Sequence, residues 1–275
     1  MAFTVSVGAA GWSIRTRHAA AFPSEGSQLQ RYAAVMDCVE INSSFYRSHQ
    51  PQTYERWADS TPRDFRFAVK CPKQISHELR LQGAQELLAR FAGEAGALGA
   101  KWAVLLVQLP PSLRFEAEVA GPFFEQAHAV FGGAIVCEPR HPTWFTPEAE
   151  HLMRDAQVSR AAVDPARWPG ASEPGGWTHA TTAARGPVLY FRWHGSPQMY
   201  WSSYGEAWLD EHAHMLAELP EGVRPWCIFD NTAAGAALEN ALQFKALLAP
   251  DHHLQPFSRA ASTAKGTTAS RPAPA

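Results

Sequence analysis

Eight short apolar runs recur along the chain, and nearly every one breaks off at a charged or amide side chain. They cover residues 4–8, 38–41, 65–69, 102–107, 134–137, 159–163, 188–191 and 226–229. Between most of them the apolar residues change period, recurring every three or four positions over 28–36, 53–59, 85–98, 123–131, 147–156, 208–219 and 238–248. Runs of period two alternating with runs of period 3.6 are the pattern of strand and helix in turn, which gives an α/β protein with a mainly parallel sheet. Eight such units in roughly 250 residues is the count and size of a TIM-type (β/α)8 barrel. An open, doubly wound sheet is the alternative. It accounts less well for polar strand ends that recur around the whole set, because only a closed ring gathers them into one mouth.

The punctuation agrees with that period. Thr146-Pro147-Glu148 combines a hydroxyl cap, a proline at the first helical position and an acid in the first turn. Pro110-Pro111 follows the fourth run, where proline offers no N–H to a ladder. After the sixth run the chain is rich in Gly, Pro and Thr up to Pro187, which predicts an irregular crossover. From Ser258 onward too few apolar groups remain to offset the entropy of ordering. The expected organisation is one barrel domain over 1–257 and a disordered tail over 258–275.

Composition bounds the function classes. Hydrophobic residues make up 46% of the chain, with ten tryptophans, enough for a core and for aromatic walls around a site. A net charge of −2 argues against indiscriminate binding to nucleic acid, while leaving room for a local basic cleft. Cys38, Cys71, Cys137 and Cys227 lack metal or redox spacing and sit in or beside strand runs, so they are expected as buried thiols. The first residues carry no basic segment leading into an apolar core, and no run approaches the roughly 20 apolar residues of a membrane helix. A cytoplasmic protein with no membrane contact is expected.

Chemistry is expected at the strand ends, where barrel enzymes place it. Glu40, Asn42, Lys70, Gln108, Glu138, Arg140, Asp164, Arg192, His194, Asp230 and Asn231 all lie there. Alternation puts Val136 and Glu138 on one face, and Tyr190 and Arg192 on one face, so the polar ends continue the rows that fill a barrel. Asp230 and Asn231 have opposite parity and need not face the same side. Glu40, Glu138 and His194 are the candidate proton carriers; Lys70, Arg140 and Arg192 suit phosphate or carboxylate. A helix starting near Ala233 or Ala234 would add free N–H groups for a phosphate, a plain tight loop being the alternative. The carboxylates and His194 form no local metal motif and the cations compete for them, so no metal ligand is assigned and the cofactor is left open, a divalent ion being possible but not favoured. Buried ion pairs that merely close the barrel mouth are the structural alternative.

Several of these segments together resemble the YecE-like family, also called domain of unknown function 72. The resemblance rests on Gly8-Ala-Ala-Gly-Trp12, Val39-Glu-Ile-Asn-Ser-Ser-Phe-Tyr46, Phe65-Arg-Phe-Ala-Val-Lys70, Glu138-Pro-Arg-His-Pro-Thr-Trp144, Tyr190-Phe-Arg-Trp-His-Gly195 and Asp230-Asn231. It implies a TIM-type barrel without a settled activity. It also implies a site drawn from Glu40, Asn42, Tyr46, Lys70, His77, Glu138, Arg140, Trp144, Arg192, His194, Gly195 and Asn231. The chain departs from the family pattern at Asp230 and at Ile14-Arg-Thr-Arg17. The expected function is a hydrolase or nuclease-like enzyme acting on an anionic, phosphate-bearing small molecule or nucleic acid. The alternative is a ligand- or nucleic-acid-binding protein without turnover.

Overall fold

The computed structural model describes residues 5–178, 187–219 and 223–249. Its strands are β1 (Ser6–Ala10), β2 (Cys38–Ile41), β3 (Arg66–Lys70), β4 (Trp102–Gln108), β5 (Ala134–Glu138), β6 (Val158–Arg160), β7 (Ala162–Asp164), β8 (Gly175–Gly176), β9 (Val188–Trp193) and β10 (Arg224–Phe229). They form one sheet in the order β7-β9-β10-β1-β2-β3-β4-β5-β6-β8, parallel throughout except for β8. The strands β6 and β7 are two halves of one extended segment interrupted at Ala161. The first half pairs with β5 and the second with β9, so this segment closes the ring and the barrel has eight staves.

Around the ring lie α1 (Gln28–Ala33), α2 (Ser43–Tyr46), α3 (Pro51–Asp59), α4 (Gln85–Ala95), α5 (Ala117–Val130), α6 (Pro147–Asp155), α7 (Glu206–Ala217) and α8 (Ala236–Leu247). Ser27 and Gln30 build a reciprocal capping box at α1, and the Thr146 hydroxyl accepts from the Ala149 N–H at the start of α6. The loop after β3 contains a π-type turn, Gln74–Glu78, which carries His77.

Two apolar layers result. The outer layer packs alternate strand residues such as Val39, Val69, Leu105 and Phe229 against the helices. The inner layer is the barrel interior: Cys38, Ala68, Val104, Leu106, Val136, Ala161, Val188, Tyr190, Trp226 and Ile228. Gly8 of β1 is required by packing, since a Cβ there would run into the Cys38 carbonyl on β2. All four cysteines are buried free thiols.

The first strand starts later than the sequence pattern predicts. Its ladder runs through Ala9 and Ala10, because two small residues still pair with β2 although they add little apolar signal. The crossover after β7 has no helix over its described residues. It is anchored by buried Arg160, which pairs with Glu150 and donates to the Gly170 and Glu173 carbonyls at 2.9 and 3.2 Å. The rest of the crossover, 179–186, and the predicted tail, 258–275, lie outside the described residues. Among the described residues no helix is long and apolar enough to cross a membrane.

Candidate functional site

The inner rows of the barrel turn polar in their last step. Cys38 is followed on its face by Glu40, Ala68 by Lys70, Leu106 by Gln108, Val136 by Glu138, Tyr190 by Arg192, and Ile228 by Asp230. Parallel strands bring these ends to one mouth, and Arg192 lies at its centre.

Arg192 is fully buried, and its guanidinium touches three carboxylates from three other strands. Its Nε donates to Glu40 Oε2 at 2.9 Å and its Nη2 to Glu40 Oε1 at 2.7 Å, a two-pronged pair. Nη2 also donates to Asp230 Oδ2 at 2.9 Å, and Nη1 pairs with Glu138 Oε2. The Tyr190 hydroxyl adds a 2.9 Å bond to Glu40. Glu138 Oε1 accepts from Gln108 Nε2 at 2.9 Å and Arg140 Nε at 3.0 Å, and Arg140 Nη2 reaches the Tyr200 hydroxyl at 3.0 Å.

His194 completes this side. Its Nδ1 lies 3.0 Å from Asp230 Oδ2 and its Nε2 3.6 Å from Glu138 Oε1. Burial disfavours the imidazolium, but the carboxylates on either side outweigh it and hold the His194 pKa above its ordinary value. Burial would likewise raise Glu138 and Asp230. Arg192, with Arg140 for Glu138 and His194 for both, holds Glu138 well below the carboxylate range and Asp230 below its own. Two carboxylates held in the ionised form therefore flank His194 and favour its protonated form.

The β3 side differs. Lys70 is 8% exposed and its Nζ sits 4.3 Å from the centre of the Phe45 ring, with no hydrogen bond or ion pair to any described residue. Burial first, then Arg192, pushes its pKa down to about 8, against the pull of Glu40, Glu138 and Asp230. Beside it His77 packs edge-on to Phe45 and pairs with the Ser76 hydroxyl at 2.9 Å. Burial, Lys70 and Arg140 push His77 down to about 4, so the ring is neutral in a positive field. Asn42 Oδ1 is buried nearby in sequence, at the end of β2, without a partner.

Over the mouth opens a small pocket, with Glu138, Arg140 and His194 on one wall and Phe145, Trp168 and Met199 among its apolar walls. Trp168 is fixed there by a bond from its Nε1 to the Arg140 carbonyl. Among the described residues no three His, Cys, Asp or Glu side chains converge in a metal-holding set.

Not every predicted residue lies at this mouth. Trp144 is packed into the core against Phe115 and donates to the Leu113 carbonyl, while the Tyr46 side chain stands 80% exposed beside Phe45. Asn231 faces away from Arg192 and bonds the Ser202 carbonyl and Asn240. Gly195 takes a left-handed φ of 92°, and its N–H bonds Tyr204. Arg192 itself has its N–H groups taken up by carboxylates and holds the mouth together instead of reaching for a ligand. The helix α8 starts at Ala236, later than the predicted 233 or 234, and the carbonyls of Ala233, Ala234 and Gly235 are capped by Arg15 and Arg17. Asp230 and Gln108, read from the sequence only as strand-end residues, join the network, together with the hydroxyls of Tyr190 and Tyr200. Parity in β10 was the available signal for Asp230, because Trp226, Ile228 and Asp230 share the inward face.

The profile described as "Protein of unknown function DUF72" matches residues 6–265. The chain belongs to the DUF72 family. Within it, the chain is 30% identical to the UPF0759 protein YecE of Escherichia coli K12 over 139 residues, so the match spans about half of either protein. It is 23% identical to the UPF0759 protein YunF of Bacillus subtilis, covering 89% of this chain and 94% of that one. Crystal structures of DUF72 family proteins from Thermotoga maritima and Enterococcus faecalis superpose with TM-scores of 0.70 and 0.69 at 25% and 20% identity. They cover 89% of this chain in both cases, and 98% and 95% of those chains. These DUF72 likenesses carry the barrel fold and the family; no activity comes with them.

Proposed function

We propose that the mouth is the active site of an enzyme acting on a small anionic substrate, a phosphate-bearing one in the first instance. The observation that carries this reading is the unmatched charge of Lys70. Three carboxylates share Arg192, Arg140 and His194, and Lys70 is the buried cation left over. A buried charge without a partner is costly, and an anionic ligand would supply the partner.

Arg140 and Lys70 are the anion contacts in this proposal. His194 donates a proton to the leaving group, and Asp230, whose Oδ2 takes the bonds from Arg192 and His194, offers Oδ1 to a water molecule. Phosphoester hydrolysis is the reaction class these roles fit. The pocket over Arg140 suits a small molecule better than a polymer, which favours the small-substrate version over nucleic acid.

Calorimetric titration with inorganic phosphate tests the site without assuming a reaction. Binding is expected at pH 7, weaker in Lys70→Met and Arg140→Gln, and weaker as pH rises through about 8, where Lys70 loses its proton. A panel of small phosphomonoesters then tests turnover, with His194→Asn expected to lower the rate by roughly 100-fold or more. Binding without turnover would leave a ligand-binding protein; phosphate that does not bind would remove the proposal.

A further inference from the structure

We propose that Lys70 is a covalent group, whose amine forms an imine with the carbonyl carbon of a small substrate that also carries phosphate or carboxylate. This rests on the mouth being the anion site proposed above and names the substrate class more narrowly. The substrate's anionic group would lie against Arg140 and its carbonyl against Lys70.

Geometry is the first support. A lysine held as a structural cation has a carboxylate partner, and this mouth contains three. Each is engaged elsewhere: Glu40 by Arg192 and Tyr190, Glu138 by Arg192, Arg140 and Gln108, Asp230 by Arg192 and His194. The Lys70 ammonium instead lies over the Phe45 ring, with no carboxylate bonded to it and with the Arg192 charge nearby. That is the environment that frees an amine for nucleophilic work.

The titration agrees. The groups facing Lys70 are Arg192 on β9, Glu40 on β2, Glu138 on β5, Asp230 just after β10 and His77 on the π-type turn. Burial and Arg192 outweigh the carboxylates, and the value is about 8 in place of 10.5. At neutral pH the free-amine fraction is then roughly 300-fold larger than for an ordinary lysine.

The step balances without an oxidant or reductant. Lys70 Nζ attacks the carbonyl carbon, a C–N bond forms, and the C=O π pair moves to oxygen, which takes a proton from the His194 imidazolium. Nζ releases one of its protons to Glu138 or Asp230. That carboxylic acid returns the proton to the hydroxyl, which leaves as water while the nitrogen lone pair closes the C=N bond, giving an iminium and one water. The iminium keeps the positive charge beside the three carboxylates, which stabilise it.

The test is reductive trapping on the full chain with sodium cyanoborohydride, read by peptide mass mapping. The probes are dihydroxyacetone phosphate and pyruvate, with neutral dihydroxyacetone as control. Lys70 is expected to label at least about tenfold faster than exposed Lys73, with a pH midpoint near 8, and to prefer the anionic probes about tenfold. Lys70→Arg should fold as wild type by circular dichroism, keep its charge and lose this label alone. Arg140→Gln should lose the preference for anionic probes while Lys70 still reacts with dihydroxyacetone.

Lys70 left unlabelled in the folded protein, or labelled no faster than Lys73, overturns the imine. If phosphate still binds by calorimetry in that case, the anion site stands alone. If Lys70 labels but neither phosphate binding nor anion preference is found, the imine stands and the anion site falls.

Discussion

Arg192 and Lys70 are both buried cations at the same mouth, one at the end of β9 and one at the end of β3, and their surroundings are opposite. Arg192 has three carboxylates and a raised pKa; Lys70 has an aromatic ring and a lowered one. Burial disfavours both charges, so the difference lies in how the carboxylates are allotted. Four hydrogen bonds to three carboxylates make the β9 side a fixed scaffold. The β3 side keeps a charge that the fold does not satisfy, and strain of that kind is where a protein gives up stability for function.

Replacing each cation in turn should therefore move stability in opposite directions. Arg192→Met leaves Glu40, Glu138 and Asp230 facing one another in the interior and is expected to lower unfolding free energy by about 3–5 kcal/mol in urea titration. A loss below about 1 kcal/mol would mean the network is not closed as described.

Lys70→Met should stabilise instead. A folded pKa below the unfolded one means the unfolded chain binds more protons between about 8 and 10.5, so wild-type stability rises with pH across that window. Below about 8 the full penalty applies, about 3 kcal/mol for the difference between the two values. The methionine variant should recover much of it at pH 7, and its advantage should fade toward pH 10.5. His194 works in the other direction: its raised value gives stability that is present below 6.5 and lost as pH rises through the folded value. If Lys70→Met is destabilising at pH 7, Lys70 has a partner and the contrast fails.

Much of this contrast was legible before the fold was known, and its sharpest part was not. Alternation alone put Glu138 and Arg192 on the inward rows, because a strand leaves a side chain no third direction. The barrel's closure was legible too, although the break at Ala161 was not, since a segment that changes partners keeps its apolar pattern. What sequence does not carry is the allotment of partners. Three cations, three or four carboxylates and a histidine read as one anion-binding set, whereas the fold turns Glu40, Glu138 and Asp230 toward Arg192, with Arg140 and His194 sharing two of them. Trp144 illustrates the same limit: an aromatic after a strand end can roof a site or, as here, fill the core beneath a loop.

Tyr190→Phe gives the smallest effect and the cleanest separation of hydrogen bonding from charge. It removes the hydroxyl that donates to Glu40 at 2.9 Å and keeps the ring that fills the inner layer beside Trp226. Glu40 retains both prongs of Arg192, so the expected loss is about 1.5 kcal/mol, the low end for a hydrogen bond to a charged group. The variant changes no formal charge near Lys70, and the Lys70 midpoint should stay near 8. Glu138→Gln is the counterpart: it keeps the shape but deletes a charge that pulls the Lys70 value upward, so the midpoint should fall further. Titration of the Lys70 Nζ by NMR separates the two. A Lys70 midpoint that moves as much in Tyr190→Phe as in Glu138→Gln would show that the β9 side is not a rigid scaffold, because losing one neutral hydroxyl would then have rearranged the charges around it.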